Sequence, residues 1–155
     1  MEPSELVQSG QARRLAKVRE ESGWEMEELA ALLGISFEAY RDLEDFDEEV
    51  VDCISFNQLT ELAAAIGLDL RGFFAADGVG QLTFSELAAR LESETGGDAA
   101  TLAALEERVG WDFARHLERP QTFAELPAIA LAEIGAAVGV DWRSLLPRHL
   151  SETRG

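Results

Sequence analysis

Apolar residues along this chain recur three and four positions apart, the spacing of one helix face, and glycines punctuate the pattern into short segments. Ala12, Leu15, Ala16 and Val18 line a helix ending near Ser22 and closed by Gly23. Leu29, Ala30, Leu32 and Leu33 give a second helix its apolar face, and Gly34 stops it. Ser36 then caps a third helix running through Tyr40 and Leu43. Ser55-x-x-Gln58 is a capping box opening a fourth helix through Leu59, Leu62, Ala63 and Ile66, and Leu70 to Phe74 form a short fifth. Thr83-x-x-Glu86 and Thr122-x-x-Glu125 read as further capping boxes, with Pro127 kinking the last long helix or delaying its start. No segment alternates with the period of two that marks a strand, so the chain is expected to be all-α.

The pattern also repeats. Ala65-Ile66-Gly67-Leu68-Asp69-Leu70-Arg71-Gly72-Phe73-Phe74 returns 72 residues later as Ala137-Val138-Gly139-Val140-Asp141-Trp142-Arg143-Ser144-Leu145-Leu146. The same offset lays Leu15-Ala16 on Leu87-Ala88. Ser55-Phe56-Asn57-Gln58-Leu59 has a counterpart in Thr122-Phe123-Ala124-Glu125-Leu126, which implies a slip in the middle of the second copy. The break falls at Asp77-Gly78-Val79-Gly80-Gln81, too short to hold the copies apart. Two units are expected, 1–77 and 82–150, packed on each other.

Leu29-Ala30-x-Leu32-Leu33-Gly34-Ile35-Ser36, with Tyr40, Leu43 and Glu44 and then Leu62-Ala63-x-x-Ile66-Gly67-Leu68-Asp69, resembles the Xre or Cro-like helix-turn-helix family, also called lambda-repressor-like. The match spans about residues 11–75, and its two helices meeting across a glycine turn describe one packing solution. The second copy keeps Leu102-Ala103-Ala104-Leu105, Gly110-Trp111-Asp112 and Leu117-Glu118-Arg119 and is similar to a diverged relative. The resemblance implies two tandem five-helix units packed as a pseudo-dimer. That arrangement favours a monomer, with a homodimer left open.

In such a family the third helix enters the major groove, and polar residues near its start and a Gln near the start of the second helix contact the duplex. Here Met26 stands where that Gln is usual, and Glu25 replaces the small capping residue. The groove-facing positions fall on Phe37, Glu38, Arg41 and Asp42, of which only Arg41 is cationic. Between Glu38 and Asp52 the chain carries eight carboxylates, Glu38, Asp42, Glu44, Asp45, Asp47, Glu48, Glu49 and Asp52, against that single arginine. One carboxylate about 6–8 Å from a phosphate costs on the order of 1 kcal/mol. Four such penalties rival the roughly 5.5–8 kcal/mol of non-specific DNA binding.

Composition points the same way. The 155 residues hold 13 basic and 30 acidic side chains, a net charge of −17, and the imbalance is steeper in residues 1–78 (6 against 18) than in 79–155 (7 against 12). Nucleic acid is a poor default partner for such a surface. Cys53 is the only cysteine and His116 and His149 the only histidines, so no zinc motif or disulfide is expected. Carboxylates are plentiful, but no phosphate loop, nucleophile motif or metal constellation accompanies them, and neither catalysis nor a cofactor is expected. Met1-Glu2-Pro3-Ser4-Glu5 carries no basic leader, which suggests a cytoplasmic protein. Trp24, Trp111 and Trp142 are expected to staple helix starts to the core, and His116 to be a surface or packing residue.

Two readings of function follow. In the favoured one, Phe37, Glu38, Tyr40, Asp42, Asp45 and Phe46 form an acidic, aromatic docking surface for a basic protein partner, as in an antitoxin, an immunity protein or an anti-regulator. In the alternative, the chain is a DNA-binding transcriptional regulator gripping phosphates through Arg13, Arg14, Lys17 and Arg41.

Overall fold

The structure, a computed structural model, describes residues 9–148; the ends of the two expected units, residues 1–8 and 149–150, and the segment Met1–Glu5 lie outside it. Helices make up the described residues: α1 (Gln11–Ser22), α2 (Met26–Leu33), α3 (Phe37–Asp45), α4 (Glu49–Asp52), α5 (Phe56–Ile66), α6 (Leu70–Phe73), α7 (Phe84–Thr95), α8 (Ala99–Val109), α9 (Ala114–Glu118) and α10 (Ala128–Ala137). Two 3₁₀ segments, Pro120–Glu125 and Trp142–Leu145, complete the set. No strand occurs among the described residues, and no described helix is long and apolar enough to cross a membrane.

The local signals that open and close helices act as the sequence predicts. Gly23, Gly34 and Gly67 end α1, α2 and α5 in the left-handed region, at φ of 84°, 71° and 76°. The Ser36 hydroxyl accepts from the Ala39 N–H at 3.0 Å. At α5 Ser55 Oγ accepts from the Gln58 N–H while Gln58 Oε1 accepts from the Ser55 N–H, and Thr83 and Glu86 do the same at α7. One cap comes from far away. Gly10 offers α1 no side chain, and Asp47 accepts from the Gly10 and Ala12 N–H groups instead, at 3.1 and 2.9 Å.

Four expectations need correction. The first half holds six helical segments rather than five, because α4 forms as Val50 and Val51 turn into the core. Leu32, placed on the apolar face of its helix, is 43% exposed, since the buried stripe of α2 runs through Leu29, Ala30 and Leu33. Thr122 opens no helix. It lies inside the 3₁₀ segment, where its hydroxyl donates to the Arg119 carbonyl at 2.7 Å, and α10 begins only at Ala128. Pro127 therefore delays the helix and does not kink it. Its backbone (φ −71°, ψ 160°) nearly reproduces that of Ser55 before α5 (φ −73°, ψ 162°), so the true counterpart of Ser55 is Pro127, 72 residues on. The spacing changes upstream of this point: α8 is 11 residues long against 8 in α2, and α9 only 5 against 9 in α3.

A single apolar core draws on both halves, and the contacts joining them are reciprocal. Ser55 and Pro127 form an isolated antiparallel bridge, with the Phe56 N–H donating to the Leu126 carbonyl at 2.8 Å. Arg71 donates to the Leu146 carbonyl at 3.1 Å, while Arg143 donates to the Phe74 carbonyl at 3.3 Å. Both the two donors and the two acceptors stand 72 positions apart. Phe74 meets Trp142 edge to face at 4.9 Å, and Phe56 meets Phe84 at 5.3 Å. Arg71 also donates to the Val79 and Gly80 carbonyls, which fastens the connection between the halves onto α6.

Candidate functional site

The acidic stretch around α3 divides into residues that hold the fold and residues that face solvent. Glu44 belongs to the first group. Its carboxylate takes both arms of the Arg19 guanidinium, at 2.5 and 3.1 Å, with side chains only 11% and 7% exposed, and Arg19 also donates to the Trp24 carbonyl at 2.9 Å. That hydrogen bond to Glu44 raises the Arg19 pKa, and burial opposes it only in part. Arg19 is thus an internal tie between α1, α3 and the start of α2, and not one of the exposed cations of the first helix. Asp47 is the second structural carboxylate. The Ala12 and Gly10 N–H groups it receives hold it below the usual range.

Tyr40 is misplaced in the expected docking surface. It has no exposed surface, because α3 turns its Tyr40–Leu43 face into the core, and burial followed by the Glu44 carboxylate raises its phenol pKa. The other expected residues stay outside. Phe37 is half-buried and not sealed against the second half, Glu38 and Asp45 are exposed, Asp42 is half-exposed, and Phe46 is 49% exposed at the end of the helix. Phe37, Arg41 and Asp45 form one i, i+4 row. The Arg41 guanidinium sits 5.9 Å over the Phe37 ring and 4.0 Å from the Asp45 carboxylate. The one cation of the stretch thus lies against its own helix, while Glu38, Asp42, Glu48 and Asp52 have no basic partner within 4.0 Å among the described residues.

The residues of the alternative reading lie on two helices. Arg13, Arg14 and Lys17 are exposed on α1, but Arg14 already donates to the Phe73 carbonyl at 3.1 Å and covers the Phe73 ring at 4.8 Å. Arg41 stands apart on α3.

In the second half, His116 is a packing residue with no exposed surface. Its Nδ1 lies 2.6 Å from Thr122 Oγ1, whose proton goes to the Arg119 carbonyl, so the imidazole donates from Nδ1. Burial, then Arg115, lowers its pKa. The tryptophans behave as staples: Trp142 is 1% exposed, while Trp24 and Trp111 are half-buried, Trp111 donating through Nε1 to the Glu133 carboxylate. Cys53 hydrogen-bonds the Glu49 carboxylate, and desolvation together with that carboxylate pushes its thiol up to about 12. Among the described residues no three His, Cys, Asp or Glu side chains gather as a metal site. Sequence reasoning missed the division of the acidic stretch, because the partners of Glu44 and Asp47 lie 25 to 37 residues away.

Compared with known proteins, the chain matches no protein-family model, no characterised sequence and no solved structure.

Proposed function

We propose that this chain is a regulatory or inhibitory protein without catalytic activity, built as two tandem helix-turn-helix units facing each other as a pseudo-dimer, and that its α3 surface docks a basic protein partner in place of DNA. The reciprocal contacts support the tandem reading. In an isologous interface, residue i of one unit meets j of the other while the equivalent of j meets the equivalent of i. Arg71 with Leu146 and Arg143 with Phe74 satisfy that relation, and Ser55 with Pro127 is a residue paired with its own counterpart, as happens on a two-fold axis.

One observation carries the functional reading: α3 has a single cation, Arg41, which lies beside Asp45 and the Phe37 ring of its own helix, while Glu38, Asp42 and Asp45 face solvent near a 49% exposed Phe46. A phosphate backbone meets repulsion there. A basic protein finds charge complementarity there and the exposed Phe46 ring at the end of the helix. An antitoxin, an immunity protein or an anti-regulator uses such a surface against a nucleic-acid-binding target.

The test pairs two assays on the intact protein. Affinity capture on wild-type chain and on Glu38→Gln/Asp42→Asn/Asp45→Asn is expected to retain a basic protein on the first and lose it on the second. A gel shift in low salt is expected to show no DNA retention. DNA binding that weakens steeply with salt and disappears when Arg13, Arg14, Lys17 and Arg41 become Ala would overturn the proposal in favour of a DNA-binding regulator.

A further inference from the structure

On the side of the first half carrying α1, a hollow of about 410 Å³ opens between that helix and the turn joining α5 to α6. Ligand pockets commonly span about 300–1,000 Å³, so the space is large enough for a small amphiphile. Its floor is apolar: Val18 and Leu68 are half-buried and Phe73 is 4% exposed. Arg14 and Lys17, three residues apart on α1, stand on one rim.

The cations here are left over from everything else the first half does. Of its six, Arg19 and Arg71 are 9% exposed and hydrogen-bonded inside, and Arg41 is engaged by Asp45 and Phe37. Arg13, Arg14 and Lys17 remain, all on α1, and none has a carboxylate within 4.0 Å among the described residues. Arg14 is set in place by the Phe73 ring at 4.8 Å and the Phe73 carbonyl at 3.1 Å, so its fork is already oriented before anything binds.

We propose that this hollow binds a free medium-chain aliphatic carboxylate, its alkyl chain over Val18 and Leu68 and its carboxylate between Arg14 and Lys17. The direction is set by charge. Arg14 and Lys17 attract the head group, while Glu21, one turn beyond Lys17 on α1, and Asp69 also line the hollow and oppose an anion at their own ends. The net charge of −17 does not forbid this, because at physiological salt fields fade within about 8 Å and the two rim cations dominate locally. The site is separate from the α3 surface, so neither proposal stands or falls with the other.

Lys17 is the only lysine in the chain, which gives the experiment a single reporter. Decanoate is expected to protect the Lys17 ε-amine of the intact protein from acetylation, read by peptide mass spectrometry, with saturation at a Kd of about 1 mM or tighter. In methyl NMR, Val18 and Leu68 are expected to shift with the same affinity, Arg14→Gln and Lys17→Gln to weaken it about tenfold each, and decanol to bind more weakly than decanoate. Lys17→Gln is expected to leave the thermal transition unchanged, whereas Arg14→Gln also gives up the hydrogen bond to the Phe73 carbonyl and is compared well below its own transition. No saturable shift in the wild type overturns the proposal, and so does decanol binding as tightly as decanoate or affinity unchanged in both variants.

Discussion

Arg19 and Glu44 bury an ion pair in the first half, whereas 72 positions after Arg19 the second half buries Leu91, and the polar group inside its third helix is the neutral His116. The same contrast runs through the helices around them. In the first half α3 has nine residues and a serine cap of its own. In the second, α9 has five, and its first N–H groups, those of Phe113 and Ala114, are held at 2.8 and 2.9 Å by Glu106 reaching over from α8. A long, tied-down α3 presents an acidic row to solvent, while a short α9 spends its polar partners on staying folded. The two halves thus differ in how their third helices are held: α3 by its own serine cap and the buried Arg19–Glu44 pair, α9 by a carboxylate from the neighbouring helix.

The largest expected effect comes from breaking the ion pair. Glu44→Ala leaves the Arg19 guanidinium buried without its carboxylate and is expected to cost about 3–5 kcal/mol in urea unfolding. The double change Arg19→Leu/Glu44→Leu, which leaves neither charge buried, is expected to recover most of that loss. A Glu44→Ala cost below about 1 kcal/mol would erase the distinction between the halves. The second half has a pH signature instead. The unfolded chain takes up a proton on His116 near the ordinary imidazole value of about 6.5, and the folded chain does not until lower pH. Stability is therefore full above that value and falls as the pH drops towards the depressed folded pKa. In His116→Leu, the fall in unfolding midpoint between about pH 7 and pH 5 is expected to shrink.

A second test compares α5 with α10. Gly135 stands 72 positions after Ala63, and a Cβ on it would lie 2.7 Å from the Val140 carbonyl, a backbone atom that cannot step aside. Gly135→Ala is expected to cost about 1–3 kcal/mol by overpacking, although alanine is the better helix former and already occupies the matching site in the first half. Next in size is Asp47→Ala, which strips α1 of its distant cap and is expected to cost about 0.5–2 kcal/mol. Because its backbone donors lower the Asp47 pKa, that contribution holds at neutral pH and is lost as the carboxylate protonates in acid. Thermal unfolding of the variant at neutral and acid pH checks both.

How much of this was legible in the sequence follows from the range of each interaction. Ser36, Ser55 and Thr83 act on N–H groups three residues away, and their caps are where the sequence put them. Thr122-x-x-Glu125 has the same local form, but the Thr122 hydroxyl is taken by Arg119 and His116, and the pairing of Ser55 with Pro127 fixes where α10 starts. Tyr40 shares the Leu43 face at i, i+3, so its burial was readable from periodicity, and its aromatic character misled. The caps and ties made by Asp47, Glu44 and Arg71 cross 8 to 75 residues and have no local signature.

The smallest expected effect separates a surface kept for docking from one kept for folding. Glu38 and Asp42 are like charges at i, i+4, an arrangement that destabilises a helix by about 0.2–0.5 kcal/mol, and neither makes an ion pair within 4.0 Å among the described residues. Neutralising them with Glu38→Gln/Asp42→Asn relieves that repulsion but also removes the favourable Glu38 charge from the first turn of α3, so stability is expected to change by no more than about 0.5 kcal/mol, against the several lost at Glu44. Asp45→Asn should change it by no more than about 0.5 kcal/mol, since its partner Arg41 is half in water. Residues whose removal leaves the fold as stable while abolishing capture of a basic partner owe their charge to binding. A loss of stability at Glu38 and Asp42 comparable to that at Asp47 would mean that the α3 row is structural, and the division of labour between the halves would not hold.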